Sequence, residues 1–360
     1  MSLDAQVSEL IERGQLLHSL DDGFTRAQLK PILDFADDHP ATRQRCFDHL
    51  LGMLQGRPTL AFGDERRFVD EGDFADDERR QAVVEEITAR LATRDRRYWR
   101  DVRLDFTGAW FGTRADFTNA VFYSAVSFRH AVFAGDASFA RARFLEKADF
   151  SDTSFYESAH FVGARFDDAS RFERVWFRRR SRLTAIHGPV ADFADTEFTG
   201  PVTFKESVFS TGAVFNGARF GSNATFEDAV MLCGGHFQNA GFTGPASFYC
   251  AEFGGEGTAS FASATFERDA NFRRARVGGP TDFHRARFLG NSADFSLCRF
   301  GGSLEFSGAH VDALTRFDGA QFFGPVRVGD ATFATLPDLP GGQVPQGADF
   351  AAPGERDRTG

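Results

Sequence analysis

From Phe106 onward, aromatic residues fall at steps of five and six in strict alternation: Phe106, Phe111, Phe117, Phe122, Phe128, Phe133, Phe139, Phe144, Phe150, Phe155 and on to Phe177. The rhythm resumes at Phe193, passes through Phe204, Phe209, Phe215 and Phe220, and runs to Phe333. Forty positions obey it; Phe fills 36, and Met231, Val277, Val311 and Val328 fill the rest. No α-helix keeps such residues on one face, because its face recurs at three, four and seven.

A second column stands two residues before each of these positions. Ala holds 26 of its 40 places, and most others are small or β-branched, such as Thr153, Ser170, Val175 and Cys298. Residues i−2 and i share one face of an extended segment, so Ala and Phe point the same way. The residue between them points out and is mostly polar, as at Asp116, Arg143, Asp149 and Arg165. Gly, Ser, Asp and Asn are frequent after each Phe and supply turn chemistry. Each five- or six-residue piece therefore reads as a very short strand and a corner. Four sides make a coil of 22 residues, and forty sides make about ten coils. At ~4.8 Å per stacked strand the rod is on the order of 50 Å long.

The two-column pattern over residues 104–335 resembles the pentapeptide-repeat family, in a Phe-centred, eleven-residue variant. The resemblance implies a mainly β fold, a right-handed quadrilateral β-helix. Parallel crossovers are themselves overwhelmingly right-handed. Three breaks in the rhythm mark loops. The step from Phe177 to Phe193 is one short of the expected 17 if Leu183 keeps phase. Two residues are added within Gly254–Gly257, and one near Gly290 and Asn291.

Residues 1–103 follow another rule. Val7, Leu10, Ile11 and Leu17 predict one helix. A capping box at Thr25–Gln28 precedes a second with Leu29, Ile32 and Leu33, ended by His39-Pro40. Thr42 is placed to cap a third carrying Cys46, Leu50, Leu51 and Leu54. A polar loop at 57–75 leads to a fourth with Val83, Val84, Ile87 and Leu91. A solenoid end exposes its stacked core, so this α-helical domain is expected to cap it. Its stretch Asp38-His39-Pro40-Ala41-Thr42-Arg43-Gln44-Arg45-Cys46 resembles the helical region before the repeats in many actinobacterial members. Residues 336–360 hold four prolines and are expected to be a disordered tail.

The formal charge of −10 divides as −5 over 1–103, −3 over 104–335 and −2 over 336–360. The rod is thus nearly balanced, which speaks against direct nucleic-acid binding. No apolar run is long enough to span a membrane. The acidic N-terminus lacks the form of a secretory signal, and four scattered cysteines make no disulfide framework, so a cytoplasmic protein is expected.

Chemistry is sparse. No HxH, HExxH, G-x-S-x-G or phosphate-binding glycine loop occurs, so neither metal, cofactor nor catalytic residue is expected. Cys298 occupies an Ala column and reads as a small core residue. Asp167-Asp168 reads as a corner. Two surface features point to a partner. Arg171, Arg174, Arg178, Arg179, Arg180 and Arg182 cluster at the first break and suit an acidic partner or phosphate; the plainer reading is a solvated basic corner. Trp110 and Trp176 both face outward, three coils of 22 apart, which places them on one side of the rod with Val132 and Ser154 between. They form either a contact surface or packing under the helices and the arginine loop.

The reading that follows is a non-catalytic protein-interaction module with a rigid, rod-like surface. Within this class the resemblance implies a DNA mimic that binds and protects a type II topoisomerase, DNA gyrase or topoisomerase IV. Two alternatives stay open. One is an enzyme, or accessory to a biosynthetic enzyme, with a site between helical domain and first coils, lined by Trp99, Trp110 and the 57–75 loop. The other is anion or nucleic-acid binding through the 171–182 arginines.

Overall fold

A computed structural model describes residues 2–18, 26–55, 74–92, 99–178, 191–335 and Pro337. Among them, forty strands of two or three residues form four parallel sheets of ten, each inner strand pairing with the fourth before and the fourth after it. The register advances by one coil per rung: Leu104 pairs with Val126, Trp110 with Val132, Ala115 with Ala137 and Val121 with Arg143. The sheets are named first to fourth after these opening strands. The fold is the expected four-sided β-solenoid of about ten coils, preceded by helices.

Phe and Ala point inward on every side. Phe117, Phe122, Phe128, Phe133, Phe139, Phe144, Phe150, Phe155, Phe204, Phe209, Phe215 and Phe220 are all fully buried. Rings stack along the rod, Phe111 on Phe133 at 4.4 Å and Phe139 on Phe161 at 4.9 Å. Rings of opposite sheets meet edge to face, Phe139 and Phe150 at 5.4 Å and 88°. Both arrangements suit the ring quadrupole. Small second-column residues leave room for the rings. Some of the polar ones bond to backbone of the neighbouring coil: Thr153 Oγ1 donates to Phe128 O at 2.7 Å, and Thr196 Oγ1 to Phe161 O at 2.7 Å.

The corners have a fixed chemistry. After the first and third sheets, a two-residue turn closes from the second-column N–H to the Phe carbonyl, as from Ala120 to Phe117 and from Ala142 to Phe139. Its second residue is left-handed, even for Asn119, Arg141, Asp152, Arg174 and Leu297. The outward Asp before Phe accepts the first turn amide, as Asp116 does from Thr118 N and Asp149 from Ser151 N. Asp is therefore frequent between Ala and Phe for local reasons.

The break after Phe177 differs from the sequence reading. Ala191 pairs with Ala159, the next side of the same coil, and Phe193 meets Phe177 edge to face at 5.9 Å. The step from Phe155 to Ala159 is four, whereas that from Phe177 to Ala191 is fourteen. Ten extra residues thus stand between these two consecutive sides, and Leu183 lies outside the described residues.

Among the described residues four α-helices precede the coils: α1 (Leu3–His18), α2 (Lys30–Asp38), α3 (Arg43–Leu54) and α4 (Phe74–Ala92). No side chain caps α2, and Arg26–Gln28 is a short 3-10 turn; Thr25 lies outside the described residues. Pro31 in the first turn of α2 lacks the amide a cap would satisfy. Thr42 sits at the start of α3, but its hydroxyl donates back to His39 O at 2.8 Å. Val83, Val84, Ile87 and Leu91 are buried as expected. The bundle covers the first coil. Phe47 of α3 meets Phe106 edge to face at 5.5 Å, and Thr88 of α4 donates to Asp116 O at 2.8 Å.

Candidate interaction surface

Strand alternation decides which side chains the rod presents. On the second sheet the outward column reads Trp110, Val132, Ser154, Trp176, Val208 and Val230 in direct register. Trp176 is 36% exposed and Leu232 beside the column 44%, while Val208 and Val230 are half-buried. The column then turns charged with Glu252, Arg276 and Arg299. The two tryptophans therefore share one face, with the expected residues between them. Trp110 is half-buried, and its carbonyl accepts from Arg80 at 3.0 Å.

The arginines at the break do not form one cluster among the described residues. Arg171 projects from the first sheet, between Asp149 and Thr203. Arg174 grips Asp152 with two bonds, 2.7 and 2.9 Å. Those hydrogen bonds hold the Asp152 carboxyl below its usual range, and burial opposes the shift only in part. Arg178 lies over the Trp176 ring at 4.2 Å and the Tyr156 ring at 6.0 Å, a cation–π arrangement that presents the tryptophan. Arg179, Arg180 and Arg182 lie outside the described residues.

On the fourth sheet, Arg143 and Arg165 stack in register and both bind Asp167. Burial tends to raise the Asp167 carboxyl, but these bonds prevail and keep it low. Asp167 is thus a charge clamp. Cys298 is buried, and its Sγ donates to Phe272 O at 2.8 Å. Burial pushes its thiol up to about 12.

At the junction where the alternative reading places a site, Trp99 and Trp110 are packed among described neighbours. Trp99 is buried, and its Nε1–H donates to Asp37 at 2.9 Å. Arg80 donates to Leu54 O and Trp110 O. The 57–75 loop lies outside the described residues up to 73. A cavity of about 470 Å³ sits between α2 and α4, lined by Lys30, Asp34, Asp37, Glu86 and Arg90. Its charges bind each other, Lys30 with Asp34 and Arg90 with both Asp37 and Glu86. The sequence reading missed this set, because Asp37 and Arg90 are far apart along the chain. No group of three metal-ligating side chains and no helix long and apolar enough to cross a membrane occurs among the described residues.

No curated protein matches this chain. One solved structure that does match is of a trypsin-treated variant of QnrB1, a plasmid-mediated fluoroquinolone resistance protein. The two are 17% identical over 66% of this chain and 84% of that one, with a TM-score of 0.17, so the match bears on neither architecture nor function here. A family model for pentapeptide repeats (9 copies) matches residues 128–176, 193–241, 237–287 and 261–310. Those segments lie wholly within the coils, and the chain belongs to the pentapeptide-repeat family.

Proposed function

We propose that this protein is a non-catalytic interaction module, a rigid rod that binds a protein partner through its outward columns. The observation that carries this is the apolar row from Trp110 to Val230 on the second sheet. The core is already complete inside the rod, so these side chains add nothing to it. An apolar surface of this kind, exposed at Trp176 and Leu232 and half-buried at its valines, marks contact sites. A type II topoisomerase, gyrase or topoisomerase IV, is the specific candidate, and its support is the family's rod shape. The mimicry of DNA has less behind it. The acids Asp116, Asp192, Asp282 and Glu305 of the third sheet are interrupted by neutral rungs, and several bind their own turns.

The test is binding of the full chain to purified gyrase and topoisomerase IV, with a supercoiling assay, beside affinity capture from native host lysate. Binding that weakens in Trp176→Ser and Val208→Asp supports the module. No binding at micromolar protein removes the topoisomerase candidate. Capture identical for wild type and both variants overturns the role of this face.

A further inference from the structure

Like charges directly opposite each other on neighbouring strands destabilise a sheet. The rod contains two such arginine pairs that differ in one respect. Arg143 and Arg165 are in register, and Asp167, the residue after Phe166, binds both. Arg276 and Arg299 are in register on the second sheet, and the equivalent positions after Val277 and Phe300 are Gly278 and Gly301. Among the described residues, neither guanidinium has a carboxylate within 4.0 Å, even though Glu252 occupies the next rung. Both arginines are exposed.

The glycines are dictated by backbone packing. A Cβ on Gly278 would lie 2.4 Å from Gly255 O, and one on Gly301 would lie 2.4 Å from Gly278 O. Neither position can therefore carry a side chain equivalent to that of Asp167 on the fourth sheet. The ridge beside the arginines is bare backbone, open to an approaching chain. Phe323, 62% exposed, lies under the Arg299 guanidinium at 5.4 Å, and Leu297 is 41% exposed two residues before it.

We propose that Arg276 and Arg299, beside the glycine ridge of Gly278 and Gly301, form a docking site for an acidic, extended segment of a protein partner. A carboxylate of that segment takes the place that Asp167 fills elsewhere. An apolar residue next to it packs on Phe323 and Leu297. Guanidinium groups suit paired recognition of a carboxylate. A nucleic-acid strand is the poorer fit, because the chain as a whole is at −10 and would repel an extended polyanion. The site extends the interaction-module reading but stands on different residues.

The probe is a short fluorescein-labelled peptide alternating Asp and Leu, titrated into the full chain and followed by anisotropy. Its Asn/Leu counterpart and a short labelled DNA duplex serve as comparisons. Salt-dependent binding of the acidic peptide is expected, weakened roughly tenfold or more in R276Q/R299Q. R143Q/R165Q, whose arginines are already neutralised, is expected to bind as wild type does. Trp176→Ser, four rungs away on the same sheet, should also leave peptide binding intact, so failure of the apolar face and failure of this site are read separately. Relief of like-charge repulsion should raise the melting temperature of R276Q/R299Q at low salt. Equal peptide binding by wild type and R276Q/R299Q, equal binding of the Asn/Leu peptide, preferential binding of the duplex, or a lowered melting temperature would each overturn the proposal.

Discussion

The carboxylate of Asp37 and the guanidinium of Arg90 meet in a two-pronged ion pair, Nε to Oδ1 at 3.1 Å and Nη2 to Oδ2 at 2.8 Å. Trp99 Nε1–H donates to the same carboxylate, and Arg43 donates to the Asp37 carbonyl at 3.4 Å and to Asp101 at 3.1 Å. This joins α2 and α4 to the chain entering the first coil. Removing the Asp37 carboxylate leaves the buried Trp99 Nε1–H without its acceptor and Arg90 with Glu86 as its remaining carboxylate. Asp37→Ala is expected to destabilise the helical cap by about 3–5 kcal/mol. Thermal melts followed by tryptophan fluorescence check this, and an unchanged midpoint would contradict it.

The rings in mid-rod are stacked from both sides. Phe139 has Phe117 at 5.1 Å and Phe161 at 4.9 Å. Phe139→Ala opens a cavity that neighbouring coils cannot close, because their rings are held by their own corners. A loss of about 3–5 kcal/mol is expected by chemical denaturation.

Ser263 occupies a corner at φ 58°. Left-handed backbone costs an L-residue roughly 1–2 kcal/mol, and glycine escapes it while losing more chain entropy. Ser263→Gly should therefore be slightly stabilising, and Ser263→Val destabilising by about 1 kcal/mol or more. Calorimetry on the pair separates the corner conformation from side-chain loss.

The Asp152 and Asp167 carboxyls are held low by their arginines. A depressed folded value means stability that is present above the ordinary carboxylate range and lost as pH falls through the folded value. Melting temperature should drop on acidification below about pH 4. Asp167→Asn should flatten part of that drop; an unaltered profile would show that the clamp carries no linkage.

Cysteine reactivity should split by burial. The Cys46 thiol is pushed up to about 11 and Cys298 to about 12, each chiefly by burial, whereas Cys233 is exposed. A thiol-reactive dye at neutral pH should label Cys233 promptly, and Cys46 and Cys298 only after denaturation. Mass spectrometry of labelled peptides reads this directly.

Much of this arrangement is legible from spacing. Trp110 and Trp176 could be placed on one face because no insertion lies between them, so 66 residues are three whole coils. Arg276 and Arg299 escaped the same arithmetic. The residue added near Gly290 shifts their register by one, and the pair appears only once strand partners are known. The Asp37, Arg90 and Trp99 set left no periodic trace at all, since its members lie on three separate segments.

Periodicity is enough to settle the inward columns, the coil length and the number of coils. A repeat writes its geometry into every unit, and a β-strand has only two faces to choose between. Packing in three dimensions was needed to settle that Ala191 continues the coil that Phe177 leaves, and which arginines find a carboxylate. Those outcomes depend on side chains from neighbouring rungs and distant helices meeting in space, and distance along a chain does not encode that meeting.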